Sequence, residues 1–216
     1  MEKMSRRDRE RLMKEDEIIS AAEKIFIRVG FENASMDEIA TEAEFTRKTV
    51  YQHFANKEVL YIAVVVRGFK RLLSGIRLEE QDGNNGFEKL RHMGRAYYKF
   101  YSQYPDTFRL MNLVGRVKSK EQDVENYLEF NHVNSSISAE ISRVINEGKA
   151  DGSIRSDLNT GMATYAAQFL MTGFFSQLSL SGSTFTEHFS IDQNDFIDFI
   201  LDLIFDTFRN KAEHAT

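Results

Sequence analysis

Arg47 and Lys48 stand side by side, with Thr49, Tyr51 and His53 close behind them. The two cations carry donors that match O6 and N7 of guanine, the commonest specific contact to a base edge. Hydroxyl, phenol and imidazole groups next to them suit phosphate oxygens, which fix position without reading sequence. Thr46 precedes the pair, Ser35 opens the segment, and Lys57 follows Asn56 at the head of another apolar run. Free N–H groups of a helix starting there would join Lys57 as a second phosphate site. The candidate nucleic-acid contacts are Ser35, Thr46, Arg47, Lys48, Thr49, Tyr51, His53 and Lys57, with base edges given to Arg47 and Lys48.

Such contacts need a rigid support. Ser35-Met36-Asp37-Glu38 has the pattern of a capping box, which starts a short helix reaching about Glu42 and burying Ile39 and Ala40. Ala43-Glu44-Phe45 is a turn, and Thr46 caps a helix from Arg47 to about Phe54. Two short helices joined in this way make a helix-turn-helix whose second helix can enter a major groove. In front of it, Ile18, Ala22, Ile25, Phe26 and Val29 share one helical face, predicting a helix from Arg6 to Val29 closed by a left-handed Gly30. The run Arg6-Arg7-Asp8-Arg9-Glu10-Arg11 begins it, either as a solvated first turn or as an arm on the phosphate backbone. Behind it, Asn56 caps a fourth helix from Lys57 to near Leu78, and Asp82–Gly86 breaks the chain. Further helices are expected at about 87–104, 107–116, 121–147, 158–180 and 193–212. The separators between them are Pro105-Asp106, residues 118–120, Gly148–Asp157 and Ser181–Asp192. The fold class is therefore all-α, with about nine helices. A three-helix domain (1–56) comes first and a helical ligand-binding and dimerisation domain (57–216) follows.

Several stretches together resemble the signature of the tetracycline-repressor (TetR) family: Ala21 to Phe26, Gly30-Phe31, Met36 to Ala40, and Thr46 through Leu60. The resemblance covers roughly the first 50 ordered residues. It implies a three-helix DNA-binding domain, a long fourth helix leading into a ligand-binding body, and a homodimer. It also implies base contacts near Arg47 and Lys48 and phosphate contacts from Thr49, Tyr51, His53 and Lys57. Where the family often has glycine in the turn, this chain has Glu44, which is then expected to hold an unfavourable φ.

The body is rich in aromatics around Tyr97, Tyr98, Phe100, Tyr101, Tyr104 and Phe108. At helical spacing these pack as core, but a cavity lined by aromatics with a few polar groups is also what a small-molecule site looks like. The candidate lining is Tyr97, Tyr101, Phe108, Met111, Tyr127, Phe130, Asn134 and Phe169, with Ser138 and Gln168 as further polar partners. The last expected helix is apolar almost all round, from Phe196 to Phe208. Together with the helix before it, burial by a second copy would make a four-helix interface through Phe169, Phe196, Phe199 and Leu203.

The net charge of −5 argues little for nucleic acid until it is divided. Residues 1–71 carry 14 Lys and Arg against 13 Asp and Glu, and the remainder carries 14 against 20. There is no cysteine, so disulfides and thiolate chemistry are excluded. No apolar stretch is long enough for a membrane span and no signal peptide is visible, so a cytoplasmic protein is expected. His92, His132 and His188 lack close metal-ligand spacing, and no phosphate loop, catalytic triad or paired carboxylates stand out; no metal, cofactor or enzymatic activity is expected. The expected function is a repressor released from a palindromic operator by a small apolar or aromatic effector. One alternative is a helix-turn-helix regulator whose body answers to a protein partner. A more distant one is a helical binding protein or enzyme with a vestigial DNA-binding domain.

Overall fold

A computed structural model describes residues 5–116 and 124–211. Among them the chain forms nine α-helices and no strand, apart from one isolated backbone bridge between Ile154 and Arg209. The helices are α1 (Arg6–Asn33), α2 (Met36–Glu42), α3 (Arg47–His53), α4 (Lys57–Glu79), α5 (Gly86–Gln103), α6 (Pro105–Asn112), α7 (Val124–Asp151), α8 (Thr160–His188) and α9 (Gln193–Asp206). Short 3-10 turns lie at Glu80–Asp82 and Val114–Arg116. None of the described helices is long and apolar enough to cross a membrane. The expected separator 118–120, the expected helix start at 121 and residue 212 lie outside the described residues.

Two compact units emerge. One runs to Phe69 and includes Asp106–Asn131; the other comprises Lys70–Pro105 and the chain from His132 onward. In the first unit α1 is exposed from Arg6 to Lys14 and buries Ile18, Ala21, Ala22, Ile25 and Phe26. Gly30 has the positive φ expected of it (79°), but its ψ of 162° is extended rather than left-handed helical. That region is open essentially to glycine alone, and one more helical turn follows it. Phe26, Phe31 and Tyr61 form an aromatic triangle with centroids 5.0–5.9 Å apart. The Tyr61 hydroxyl donates to the Leu110 carbonyl at 2.6 Å, tying α4 to α6. Largely buried Arg67 on α4 bonds Asp16, Ser20 and Glu23 of α1, and Thr107 of α6 donates to Glu23 at 2.6 Å.

The second unit corrects four expected boundaries. The break expected at Pro105-Asp106 falls at Tyr104, and Pro105 itself opens α6, where its missing N–H costs nothing. Gly148 lies inside α7, and a β-carbon there would sit 2.5 Å from Ile154, so it is a close-packing glycine. The helix ends at Gly152, whose φ is 83°. α8 continues past Leu180, where no proline stops it, and the Ser181 hydroxyl is turned back onto the Gln177 carbonyl at 3.0 Å rather than capping a new helix. α9 stops at Asp206 because the next residues pair elsewhere: Arg155 N–H donates to Phe208, and Asn210 N–H to Ser153.

Candidate functional site

Every boundary of the α2–α3 pair is fixed by a local hydrogen bond. Ser35 and Glu38 form the reciprocal capping box, the serine hydroxyl accepting from the Glu38 N–H at 3.2 Å and the glutamate accepting from the Ser35 N–H at 3.1 Å. At the other end Phe45 N–H donates to Ala40 and Glu44 N–H to Thr41, the double bond of a Schellman turn. Glu44 occupies its left-handed position at φ 57°. Thr46 then caps α3, accepting from the Thr49 N–H, and the two threonine hydroxyls lie 2.9 Å apart. Met36, Ile39, Ala40 and Val50 are buried beneath.

Arg47, Lys48 and Tyr51 project from this frame and are exposed. Arg47 is not free: its guanidinium is 3.0 Å from the Asp37 carboxylate and 5.4 Å from the centroid of the Tyr51 ring. Lys48 makes no ion pair among the described residues. Thr49 is half-buried, and the Ser35 and Thr46 hydroxyls are engaged as caps.

Two expected phosphate ligands are occupied in other ways. The Lys57 ammonium donates to the carbonyls of Phe31, Glu32 and Ala34 at 2.7, 3.1 and 2.9 Å and stands 4.6 Å over the Phe31 ring. A cation with three donors meets the orphan carbonyls at the end of α1, which removes Lys57 from the free phosphate donors. His53 is 13% exposed and bonds Glu15 at 3.2 Å, joining α3 to α1. In the sequence Asp37 stands only as a member of the capping-box segment, and its ten-residue spacing from Arg47 carries no local signal.

The expected effector residues divide between the two units. Phe108 and Met111 are buried in the first, Met111 packing where a β-carbon on Gly68 would meet its sulfur at 2.7 Å. Phe130 meets Phe69 edge to face at 5.6 Å, and Tyr127 is half-buried. In the second unit, Asn134, Ser138 and Gln168 do converge: Gln168 accepts from Ser138 at 3.0 Å and donates to Asn134 at 3.3 Å. Tyr101 packs on Phe175 at 5.2 Å. Tyr97 is buried, and burial pushes its hydroxyl up to about 12. It lines an apolar cavity of about 20 Å3 with Ile76, Leu90, Met93, Met171 and Phe205. Phe205 lies flush on Gly94, where a β-carbon would come within 2.2 Å of the ring. Both were missed, although a glycine inside a helical pattern is itself a sign of close approach. Phe169 is instead 77% exposed.

That exposure puts Phe169 on an apolar stripe of α8 with Met162, Tyr165 and Leu180. On α9, Phe199 and Leu203 are likewise exposed, whereas Phe196 is half-buried with its ring 5.9 Å from Phe174.

Residues 18–64 match the sequence model described as bacterial regulatory proteins, tetR family. Over this segment the chain is similar to the tetR family. Its similarity to curated relatives covers less than half of the chain and less than half of theirs. It is 33% identical over 95 residues to the HTH-type transcriptional activator FasR of Mycolicibacterium smegmatis, an alignment covering 44% of this chain and 43% of that one. Solved structures share the fold over nearly the whole length. The fatty acid degradation regulator FadR from Bacillus halodurans superposes with a TM-score of 0.70 at 19% identity, covering 94% of this chain and 97% of that one. AibR, solved with isovaleryl coenzyme A and operator DNA, gives 0.68 at 17% identity, covering 89% and 98%.

Proposed function

We propose that this TetR-family chain is a cytoplasmic, homodimeric transcription regulator that binds a palindromic operator and is released by a small effector. Residues 1–56 are the DNA-binding domain and 57–216 the effector and dimerisation body. The observation that carries the reading is α3: a helix capped by Thr46 that presents Arg47, Lys48 and Tyr51 to solvent. A dimer would present two such helices to successive major grooves, with half-sites about 34–36 Å or somewhat more apart. Fluorescence anisotropy against duplexes tiled across the DNA upstream of its own gene tests it. Binding to one tile about a thousandfold tighter than to unrelated duplex supports the reading. Weak, tile-independent binding lost with salt contradicts it.

Repression is the expected sign, yet the relative FasR is named an activator, so a reporter gene downstream of the bound tile must decide. For the effector, the apolar cavity beside Tyr97 and the coenzyme A thioester bound by AibR favour a compound with an apolar acyl group. Thermal shift with a series of acyl coenzyme A thioesters reads this out, since a ligand at a hundred times its Kd stabilises by about 2.7 kcal/mol. The reading in which the body answers to a protein partner is favoured by one observation: a void of about 20 Å3 holds no effector unless it opens. No stabilisation by any member of the series would support that reading instead.

A further inference from the structure

Arg47 and Asp37 come from different helices, and each is held on a fixed backbone, α2 by the capping box and both by the Schellman turn between them. Their side chains are each 63% exposed and 3.0 Å apart. The other acids of α2 have different partners: Glu38 closes its own cap, and Glu42 meets Lys24 at 3.1 Å and Arg28 at 3.9 Å. Tyr51 backs the guanidinium from below. The result is a donor and an acceptor locked side by side at the exposed start of the recognition helix.

The major-groove edge of a G·C pair presents the complement of that arrangement. Guanine offers O6 and N7 as acceptors and cytosine its N4 amino group as donor. Guanine O6 and cytosine N4 are themselves one N–H···O hydrogen bond apart, about 2.9 Å. We infer that Asp37 is a base-reading, specificity-determining residue: with Arg47 it forms a two-part reader of a single G·C pair in each half-site. Arg47 donates to guanine while Asp37 accepts from cytosine N4. An A·T pair puts its donor on adenine N6 and an acceptor on thymine O4, so the carboxylate would face the wrong group. On DNA lacking the pair, Asp37 contributes only repulsion from the phosphates and weakens non-specific binding.

This rests on the DNA-binding reading above, and the test separates the two. Anisotropy is measured for the wild type, Asp37→Ala, Asp37→Asn, Arg47→Ala and Lys48→Ala against the bound duplex, its single-base-pair variants and an unrelated duplex. The expectation is one G·C position per half-site where change to A·T weakens the wild type about tenfold or more. Asp37→Ala loses most of that discrimination at this position alone and binds unrelated duplex more tightly. Asp37→Asn keeps the shape, and its amide N–H can donate to thymine O4 when the pair becomes A·T, so the discrimination falls. Lys48→Ala weakens binding to the bound duplex but leaves the preference at this one position in place. If Asp37→Ala retains discrimination at every position, or shifts all duplexes by one common factor, Asp37 is a repelling charge only and the inference fails. A wild type without any sequence preference overturns the DNA-binding reading itself.

Discussion

Glu44 has a β-carbon in a left-handed turn position, with φ 57°. For a residue with a side chain this conformation costs about 1–2 kcal/mol, part of which glycine returns through its larger entropy when unfolded. Glu44→Gly is therefore expected to stabilise the chain by about 1 kcal/mol, a rise of about 2–4 °C in Tm by calorimetry. Lys57 makes the opposite case. Its three carbonyl contacts predict that Lys57→Met loses about 2 kcal/mol of stability. The same variant should leave the salt dependence of DNA binding almost unchanged, whereas Lys48→Ala lowers that slope by about one. A fall of one in the slope for Lys57→Met would restore it as a phosphate ligand. At this scale the sequence reveals caps and turns, because Ser35, Thr46 and Asn56 act on N–H groups three residues away. It hides Lys57, His53 and Asp37, because their partners lie 26, 38 and 10 residues away.

Among the elements, α2, α3 and α4 fall where caps and apolar periodicity place them. The less legible ends are those of α7, α8 and α9, where tertiary contacts decide. Gly148 reads as a break until Ile154 is seen against it, and α9 yields its last turn to the pairing of Phe208 and Asn210 with residues 153–155. The contact of α5 with α9 is equally specific: the Phe205 ring fills the place of a Gly94 side chain. Gly94→Ala should thus destabilise by about 1–3 kcal/mol through overpacking. Adding Phe205→Leu should recover part of the loss; a double variant no better than additive would place the strain elsewhere. Tyr61 and Tyr97 give an alkaline signature. Burial pushes both hydroxyls up to about 12 from 10.0. The folded chain keeps phenolic protons that the unfolded chain releases, so their contribution is present below pH 10 and is lost as pH rises toward about 12. The Tm of the wild type should fall over that window, and the Tyr61→Phe, Tyr97→Phe double variant should fall less.

Across the whole chain, charge and apolar surface are distributed as the proposed division of labour requires. The first 71 residues are nearly neutral and the rest is acidic, so the body offers DNA little attraction. Exposed Phe169, Phe199 and Leu203 leave an apolar surface that a second copy would cover. Phe199→Ser with Leu203→Ser should give a monomer by light scattering, and a persisting dimer would move the interface elsewhere. Such a monomer should bind one half-site with far lower affinity, since pairing supplies the second contact at no further cost in translational freedom. The measurement that tests the central claim most directly is the ratio of affinities for the bound upstream duplex and an unrelated duplex, taken at one salt concentration for the wild type and Arg47→Ala. A sequence-reading α3 gives about a thousandfold or more for the wild type, falling by about fivefold to a hundredfold in the variant. A ratio near one in the wild type, or one untouched by the loss of Arg47, would contradict it.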